Sequence, residues 1–434
     1  MYQASKEQLV RMLRWSEKYT GTDMVYLASG SFWLSSSSVI TAAVSFGLAL
    51  AFANLLSKDT YGTYKYILTI FGILSVACLR GMDTAVTQGA ARGNDGTVML
   101  GLWAKMRWSL LGSLGALLAA AYYFQNGNDT LAIALVFAAF FIPLMEPFGI
   151  FNAVLVGKRD FKLSSALGVA GQIASAVALI ITLSLTQNPI IIFIVYCSTW
   201  SFTRYLSLRL TLKKYPPNDK NEPRALSYAL HSNVINVSNV LISSLDAILV
   251  FHYLGAAQLA LYAFAMAPVQ HTRTILIPFY SLAVPKLAAQ ASANLRKTVP
   301  RRTGMLFLLG VGIAGAYCIL AYPFYHIFFP QYVDAIPFSM LFSLTIVFQL
   351  CNAFVGAVVD SRATLIPKRL LYLWNIPSLV VAGSAVFLIP LLGLWGAVIG
   401  QVLASAFSTV IILSLWFAIR NKEHSNPSQV SDLK

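Results

Sequence analysis

The sequence has 434 residues, of which 57% are hydrophobic and only 11% are charged. A bilayer-spanning helix needs about 20 mostly apolar residues, so the chain has apolar sequence for about twelve spans. This composition excludes a soluble enzyme, a disordered chain and a small disulfide-rich scaffold, because soluble domains carry about 25% charged residues. The net charge of +15 is not gathered on a polar domain, so no nucleic-acid partner is expected.

Long apolar runs between polar breaks predict twelve transmembrane helices. Barrel strands are not predicted, because they would alternate in polarity over about ten residues. The predicted fold class is therefore an all-α polytopic membrane protein. The spans lie near 26–54, 64–88, 104–124, 131–155, 163–186, 189–209, 228–252, 262–285, 304–328, 337–359, 370–390 and 394–418.

The basic residues predict the orientation of the chain. The two tails and the alternate loops hold 24 of the 31 Lys and Arg residues, whereas the opposite loops hold only Lys58 and Lys65. The positive-inside rule therefore predicts that both termini and the basic loops are cytoplasmic, in a multi-pass protein of the cytoplasmic (inner) membrane. Residues 6–18 alternate basic and apolar side chains, which is typical of an amphipathic helix on the membrane surface or of a frayed polar tail.

The longest polar break, residues 213–223, separates six spans from six spans. It predicts two lobes joined by a cytoplasmic loop. The expected domains are a cytoplasmic amphipathic segment (1–24), an N-terminal six-helix lobe (25–212), an inter-lobe loop (213–226), a C-terminal six-helix lobe (227–419) and a cytoplasmic tail (420–434).

The two halves resemble each other at two equivalent places. Leu56 and Tyr64 match Leu254 and Tyr262 at an offset of 198, just after the first helix of each half. Further on, Asn152-Ala153 and Asp160-x-Lys162 match Asn352-Ala353 and Asp360-x-Arg362 at an offset of 200. An even number of helices per half means that both halves enter the membrane from the same side. Transporters built from such parallel repeats hold substrate between the halves near the midplane, which is where we expect a site.

Polar residues follow one face of the seventh predicted span at intervals of three or four residues, and three more occupy equivalent positions in the first span. Such residues either join helices or line a wet cavity. Packing is favoured for the first span, whereas two Asn and one Asp favour a cavity along the seventh. The residues are Ser232, Asn236, Asn239, Ser243 and Asp246 in the seventh span, and Ser38, Thr41 and Ser45 in the first.

Ionisable residues within spans are candidates for substrate or ion contact, because a charge in hydrocarbon is costly. Arg80 and Asp83 lie three residues apart and could simply pair. Arg273 has no acidic neighbour in sequence, and Glu146 is an alternative partner for it. The candidates for substrate binding are Arg80, Arg273, His271, Asn236, Asn239, Ser243, Gln349 and Asn352, and those for a coupling ion are Asp83, Glu146 and Asp246.

The sequence contains no catalytic or cofactor-binding motif that supports an enzymatic function. Residues 310–315 fit a GxGxxG pattern, but they lie inside a predicted span with no preceding strand, so close helix packing explains them better. Pro143 and Pro147 flank Glu146 and predict a helix kink there. We expect no catalytic residues, no metal and no cofactor, and we interpret the four cysteines as buried thiols.

Several stretches resemble the Wzx-type flippases of lipid-linked oligosaccharides, in the polysaccharide-transporter branch of the MOP (MATE-like) superfamily. In that family a basic residue is often found where this chain has Gln88, which is a departure from the pattern. The stretches that carry the resemblance are Ala53–Tyr64, Arg80–Ala85, Pro143–Phe161, Leu254–Tyr262, Val284–Leu287 and Gly393–Ala397.

The resemblance implies a V-shaped pair of pseudo-symmetric lobes with a cavity lined by the first and seventh helices. It implies transport by alternating access of a polyprenyl-pyrophosphate-linked glycan, for O-antigen, capsule or exopolysaccharide synthesis. The implied partners are membrane lipids, a polysaccharide polymerase and glycosyltransferases. One alternative is a MATE-like small-molecule antiporter, which would gain support if Asp83, Glu146 and Asp246 formed an anionic cavity for cations. Another is a membrane glycan polymerase or ligase, which would need a large outer loop.

Overall fold

The computed structural model describes residues 24–270, 292–360 and 376–425, and helices make up almost all of them. The predicted all-α membrane fold is confirmed. The N-terminal segment up to residue 23, parts of the eighth and eleventh predicted spans, and the tail from residue 426 lie outside the described residues.

The helices follow the predicted spans, with two of the spans divided. In the first part of the chain they are α1 (Met24–Leu55), α2 (Lys58–Ser75), α3 (Gly81–Arg92), α4 (Thr97–Gln125), α5 (Asp129–Met145), α6 (Phe151–Gly157), α7 (Phe161–Leu185) and α8 (Pro189–Lys214). They continue with α9 (Ala225–Leu254), α10 (256–270), α11 (Ser292–Phe328), α12 (Ile336–Asp360), α13 (Ile376–Leu392) and α14 (Leu394–Ser425).

Nine segments within the described ranges are long and apolar enough to cross a membrane. Their outward side chains fit this interpretation: on α11, Met305, Leu308, Ile319 and Leu320 are each at least 61% exposed. An apolar surface of this extent would be unfavourable in water but matches lipid tails. The chain is therefore a multi-pass membrane protein.

The second predicted span is interrupted, which the sequence did not indicate. The helix α2 ends at Ser75, and a 3₁₀ turn covers Val76–Cys78. Leu79 then adopts a left-handed conformation with φ of 51° before α3 begins. The break brings Gly81 against α9, where a Cβ on Gly81 would lie 2.8 Å from the carbonyl oxygen of Ala229. The expectation of one continuous helix over 64–88 is thus wrong, and close packing against α9 accompanies the break.

The kink predicted around Glu146 is confirmed. Pro143 lies inside α5, the helix ends at Met145, and a 3₁₀ turn over Pro147–Ile150 leads into α6. Proline lacks an N–H donor and its ring clashes with the preceding turn, which explains why the α-helical hydrogen bonding stops here.

The chain forms two compact units. The first contains the described residues up to Leu48, Leu74–Thr182 and Ile194–Asn236, and the second contains Ala49–Ile73, Leu183–Phe193 and the described chain from Val237. The first unit has a core around Met82, Val86, Ile150 and Leu155, and the second has one around Val355, Val358 and Leu415. The lobe boundaries expected from the sequence stay a prediction.

The packing interpretation of the GxGxxG stretch holds for one glycine. A Cβ on Gly310 would lie 2.7 Å from the Cα of Val347, so α11 and α12 approach closely there. Gly312 and Gly315 have no such neighbour, since a Cβ on either would have no described atom within 4 Å. All four cysteines are free thiols, with Cys318 half-buried and the other three buried as predicted.

Candidate functional site

The polar face of α9 is only partly covered by other described residues. Asn236 is half-buried, and Asn239 and Ser243 are exposed. The amide of Asn236 is 3.5 Å from the Ser232 hydroxyl, and the Ser243 hydroxyl donates to the Val240 carbonyl at 3.1 Å. These bonds stay within α9, so, unlike packing residues, the three side chains join no other helix among the described residues. They form an uncharged polar surface on a membrane helix.

Asn233 is a further polar residue of α9. The spacing of three or four residues did not identify it, because it lies outside the polar face. Its side chain is buried, and its Oδ1 accepts a hydrogen bond of 3.1 Å from the backbone N–H of Arg80. That N–H lies at the break between α2 and α3, where helical hydrogen bonding is lost. Asn233 therefore fastens α9 to the interrupted span.

Asp246 is the buried acid of the second unit. It is 5% exposed, and its Oδ2 accepts hydrogen bonds from the Tyr262 hydroxyl at 2.5 Å and from the Gln401 amide at 2.9 Å. Its Oδ1 accepts one from the N–H of Ala247 at 2.7 Å. No basic side chain pairs with it among the described residues. Buried carboxylates usually have an ion partner, so a carboxylate held only by neutral donors is a candidate for reversible ion or proton binding.

Arg80 and Asp83 do not pair, contrary to one interpretation of their spacing. Asp83 forms an ion pair of 2.7 Å with Lys105 of α4, whose side chain is only 3% exposed. The buried ammonium needs a counter-charge, which explains the choice of partner. The side chain of Arg80 is exposed and has no ion partner within the described ranges, and Gln88 is also exposed.

Glu146 also has a basic partner. Its Oε1 lies 3.3 Å from Nη1 of Arg204, which donates to the Met145 carbonyl at 3.0 Å. The guanidinium stands over the ring of Trp200 at 5.3 Å. Arg204 thus donates a hydrogen bond to the Met145 carbonyl, which lies at the proline kink. It also pairs with the Glu146 carboxylate. The sequence offered Arg273 as a partner for Glu146, but the structure gives Arg204.

Of the four remaining candidate residues, the structure describes two. Gln349 and Asn352 lie on α12 and are half-buried, and the buried Oδ1 of Asn352 has no hydrogen-bond partner among the described residues. His271 and Arg273 lie outside the described residues. The structure therefore does not bring the substrate-binding candidates into one cluster.

The turns predicted to lie outside the membrane meet within the second unit. Gly62 on α2 packs on α10 so closely that a Cβ would lie 1.8 Å from the carbonyl oxygen of Ala256. Tyr66 stacks on Phe251 with ring centres 3.7 Å apart. The segments that meet are those related by the repeat offset of 198.

The helix α2 carries two lysines, and one of them, Lys58, extends this contact with the second half of the chain. Lys58 forms an ion pair of 2.9 Å with Asp334 and lies near the ring of Tyr332. Lys65 lies two turns inside α2 rather than in a loop, is half-buried, and has no ion pair among the described residues. Sequence reasoning missed Lys65 because it counted this residue with the outer loops.

On the side predicted to be cytoplasmic, hydrogen bonds and an ion pair hold the inter-lobe loop against other residues of the first unit. The side chain of Glu222 is 7% exposed and binds Arg92 and Asn94, and its N–H donates to the Thr97 hydroxyl at 2.7 Å. The Asn218 amide donates to the Gly93 carbonyl at 2.8 Å, and its Oδ1 accepts from the N–H of Gly96. The loop is therefore held in place rather than acting as a free tether.

On the same side of the first unit, Asp160 forms an ion pair with Lys214. Their side chains lie 2.7 Å apart. Burial by itself would raise the pKa of Asp160, but hydrogen bonds from Lys214, the N–H of Leu163 and the Tyr215 hydroxyl outweigh it, so the pKa is lowered. The carboxylate is thus kept ionised at neutral pH.

Solved structures with a similar fold are membrane transporters. The lipid II flippase MurJ in an inward closed conformation is 14% identical, with a TM-score of 0.61 over 87% of this chain and 86% of that chain. An outward-facing multidrug resistance MATE family transporter is 15% identical, with a TM-score of 0.58 over 91% and 96%. A MOP superfamily transporter from Pyrococcus furiosus is 13% identical, with a TM-score of 0.56 over 91% and 96%. At these identities the likeness establishes a MOP-like fold.

No curated protein matches this sequence. Residues 27–289 match the family described as "Polysaccharide biosynthesis protein", which is more than half of the chain. The chain therefore belongs to the polysaccharide biosynthesis protein family and has the fold of MOP-superfamily transporters.

Proposed function

We propose that this protein is a Wzx-type flippase that moves polyprenyl-pyrophosphate-linked oligosaccharide repeat units across the cytoplasmic membrane. The strongest support from the structure is the uncharged, accessible face of α9 with Asn236, Asn239 and Ser243. Amides and hydroxyls both donate and accept hydrogen bonds, so they can replace water around sugar hydroxyls. The family match adds the context of polysaccharide synthesis.

The pyrophosphate of such a cargo needs cations in place of its hydration. Arg80 and Lys65 are basic residues of the second span region without an ion partner among the described residues. A guanidinium matches phosphate oxygens with a planar fork of donors, and an ammonium acts as a compact charge. We assign to Arg80 of the first unit a role in binding the pyrophosphate, and to Lys65 of the second unit a separate contact with the cargo; from the sequence we add Arg273 and His271. One similar structure is named a lipid II flippase, which supports a lipid-linked cargo.

Asp246 is the residue that we assign to coupling. Among the described residues its carboxylate has neutral partners, whereas Asp83 and Glu146 are neutralised by Lys105 and Arg204. Protonation of Asp246 would change a hydrogen-bond acceptor into a donor and so alter the contacts between helices. We assign Asp83 and Glu146 a structural role instead, as the ion partners of the buried Lys105 and the half-buried Arg204.

The same ion pairs weaken the small-molecule antiporter alternative. An antiporter for cations would gain from an anionic cavity, but two of the three acids carry a basic partner. The polymerase or ligase alternative requires a large outer domain. Between α4 and α5, between α7 and α8, and between α9 and α10, the predicted outer connections span only a few residues.

A deletion strain tests the proposal. Removing the coding sequence should abolish the surface glycan and leave lipid-linked repeat units in the inner leaflet, since synthesis precedes translocation. Reintroduced Ser243→Leu should restore export poorly, because the leucine removes a hydroxyl from the polar face of α9. Ser414→Leu is a matched control, since Ser414 is also exposed and its described hydrogen bond, to the Ile411 carbonyl, lies within its own helix. Intact surface glycan in the deletion strain would refute the flippase function.

The direction of transport depends on the orientation. Cysteines introduced at Asn128 or Gln258 should react with an impermeant reagent added outside intact cells. A cysteine at Asn218, in the loop held by Gly93 and Gly96, should react only after the membrane is opened. The reverse labelling pattern would contradict the proposed orientation.

A further inference from the structure

A second polar face begins at the break in the second span and continues along α3. Its exposed side chains recur every four residues and therefore share one side of the helix. They are Arg80, which caps the N-terminus of α3, followed by Thr84 and Gln88. The next helix, α4, instead exposes leucines such as Leu110 and Leu118. Lipid tails cannot satisfy polar groups, so the exposed face of α3 should line a water-filled space.

Two residues of this face keep their hydrogen-bonding groups free. The side chains of Thr84 and Gln88 form no hydrogen bond with other residues in the described part of the chain. Thr87 differs, because its hydroxyl lies 2.9 Å from the Asp83 carbonyl and 3.2 Å from the Ala153 carbonyl of α6. Thr87 therefore serves the fold, whereas Thr84 and Gln88 can serve a ligand.

The polar face of α3 adjoins the polar face of α9 within the first unit. A Cβ on Gly81 would lie 3.1 Å from the hydroxyl oxygen of Ser232, and that oxygen is 3.5 Å from the amide nitrogen of Asn236. The hydrogen bond from the N–H of Arg80 to Asn233 fixes the backbone of Arg80 at the same place. The backbone of Arg80 is thus held where the two polar faces meet.

This juxtaposition fits the part of the cargo where the pyrophosphate joins the glycan. Building on the proposed function, we infer that Thr84 and Gln88 bind the first sugar of the repeat unit, next to the pyrophosphate at Arg80. Four and eight residues correspond to about 6 and 12 Å along a helix, so both residues lie within reach of a sugar bonded to that pyrophosphate. A hydroxyl and a primary amide each donate and accept hydrogen bonds, as sugar hydroxyls require.

The binding of two lipids to the purified full-length protein tests this assignment. One is the lipid-linked repeat unit extracted from the deletion strain, and the other is undecaprenyl pyrophosphate, which carries no sugar. Their dissociation constants are measured in detergent by microscale thermophoresis. We expect the wild type to bind both lipids, and the repeat unit more tightly.

The variants Thr84→Val and Gln88→Leu should weaken the repeat unit selectively. The loss of one hydrogen bond should raise its dissociation constant about fivefold, and both changes together should raise it on the order of 25-fold. The dissociation constant of undecaprenyl pyrophosphate should not change. Arg80→Gln, in contrast, should weaken both lipids, because both carry the pyrophosphate.

Thr87→Val is the matched control for Thr84→Val on the same helix. Its hydroxyl is bound to carbonyls of the protein, so its loss should lower the melting temperature. The ratio of the two dissociation constants should stay that of the wild type. A change in this ratio therefore reports contact with the sugar, which a loss of stability alone does not produce.

Three results would overturn the inference. Equal weakening of both lipids by Thr84→Val and Gln88→Leu would show that these residues do not contact the sugar. Unchanged binding of the repeat unit in both variants would remove them from the site, while the flippase function would stand. If the wild type bound neither lipid, the proposed function itself would be refuted, and this inference with it.

Discussion

The carboxylate of Asp246 accepts a hydrogen bond of 2.5 Å from the hydroxyl of Tyr262, and both side chains are almost fully buried. Gln401 donates to the same oxygen at 2.9 Å. Because the three residues lie on α9, α10 and α14, one carboxylate joins three helices. A proton on that oxygen would displace at least one of the two donors. Protonation at Asp246 would therefore loosen α9 from a neighbouring helix.

The first prediction concerns Asp246→Asn. The amide cannot be deprotonated, so we expect glycan export to fall at least tenfold and to lose its dependence on pH. Export is measured as surface glycan over a range of external pH, at matched protein levels. Asp219→Asn serves as the control, because Asp219 is exposed on the inter-lobe loop. An unchanged pH response in Asp246→Asn would remove this residue from coupling.

The second prediction concerns the close contact of α2 with α10. In Gly62→Ala the new Cβ would meet the carbonyl of Ala256 at 1.8 Å, so the two helices must separate. Overpacking of this kind costs about 1–3 kcal/mol. We expect a lower melting temperature in detergent for Gly62→Ala.

Gly72→Ala provides the comparison for Gly62→Ala on the same helix. A Cβ on Gly72 has nothing within 4 Å, and alanine favours the helical state more than glycine does. The melting temperature of Gly72→Ala should therefore stay equal or rise. If the two variants melt alike, the helices do not approach as closely as the structure indicates.

The third prediction concerns the inter-lobe loop. Glu222→Ala removes the acceptor for Arg92 and Asn94, and hydrogen bonds to charged groups contribute about 1.5–3 kcal/mol each. We expect trypsin to cut after Lys214 or Lys220 at least tenfold faster in this variant, because local opening exposes the backbone. In Asp219→Ala, which alters an exposed side chain of the same loop, cleavage should match the wild type. Equal cleavage in all three proteins would mean that Glu222 does not hold the loop.

The sequence predicted those features that depend on local composition. Apolar length identified the spans, and Pro143 with Pro147 identified the kink, because proline acts on its own helix turn. The stripe of Asn236, Asn239 and Ser243 followed from helical periodicity. These arguments need no knowledge of which helices are neighbours.

The partners of the charged residues could not be predicted in the same way. Asp246 bonds to Gln401, which is 155 residues away, and Glu146 to Arg204, which is 58 away. Spacing within one helix cannot rank such partners, and it suggested Arg80 for Asp83 where Lys105 is the partner. The break at Leu79 has no Pro or Gly at that position, and the contact that accompanies it, between Gly81 and α9, joins residues far apart in sequence.

The last prediction separates the roles of Arg204 and Arg273. Glu146 is 13% exposed and pairs with Arg204, so Arg204→Met leaves a half-buried carboxylate without its cation. Breaking a fully buried pair costs about 3–5 kcal/mol, and this partly exposed pair should cost less. We expect low abundance of Arg204→Met in the membrane, and recovery when Glu146→Gln is added.

Arg273 should behave differently, because Glu146 already has a partner and Arg273 is assigned to the pyrophosphate. Arg273→Ala should insert at normal abundance and lose surface glycan, with Arg273→Lys restoring part of the export, since a lysine keeps the charge without the planar fork. Adding Glu146→Gln to Arg273→Ala should give no recovery of export. Immunoblots of membranes and surface-glycan measurements report the two quantities separately. If the double variant regains export, Arg273 neutralises Glu146 instead and does not bind the cargo.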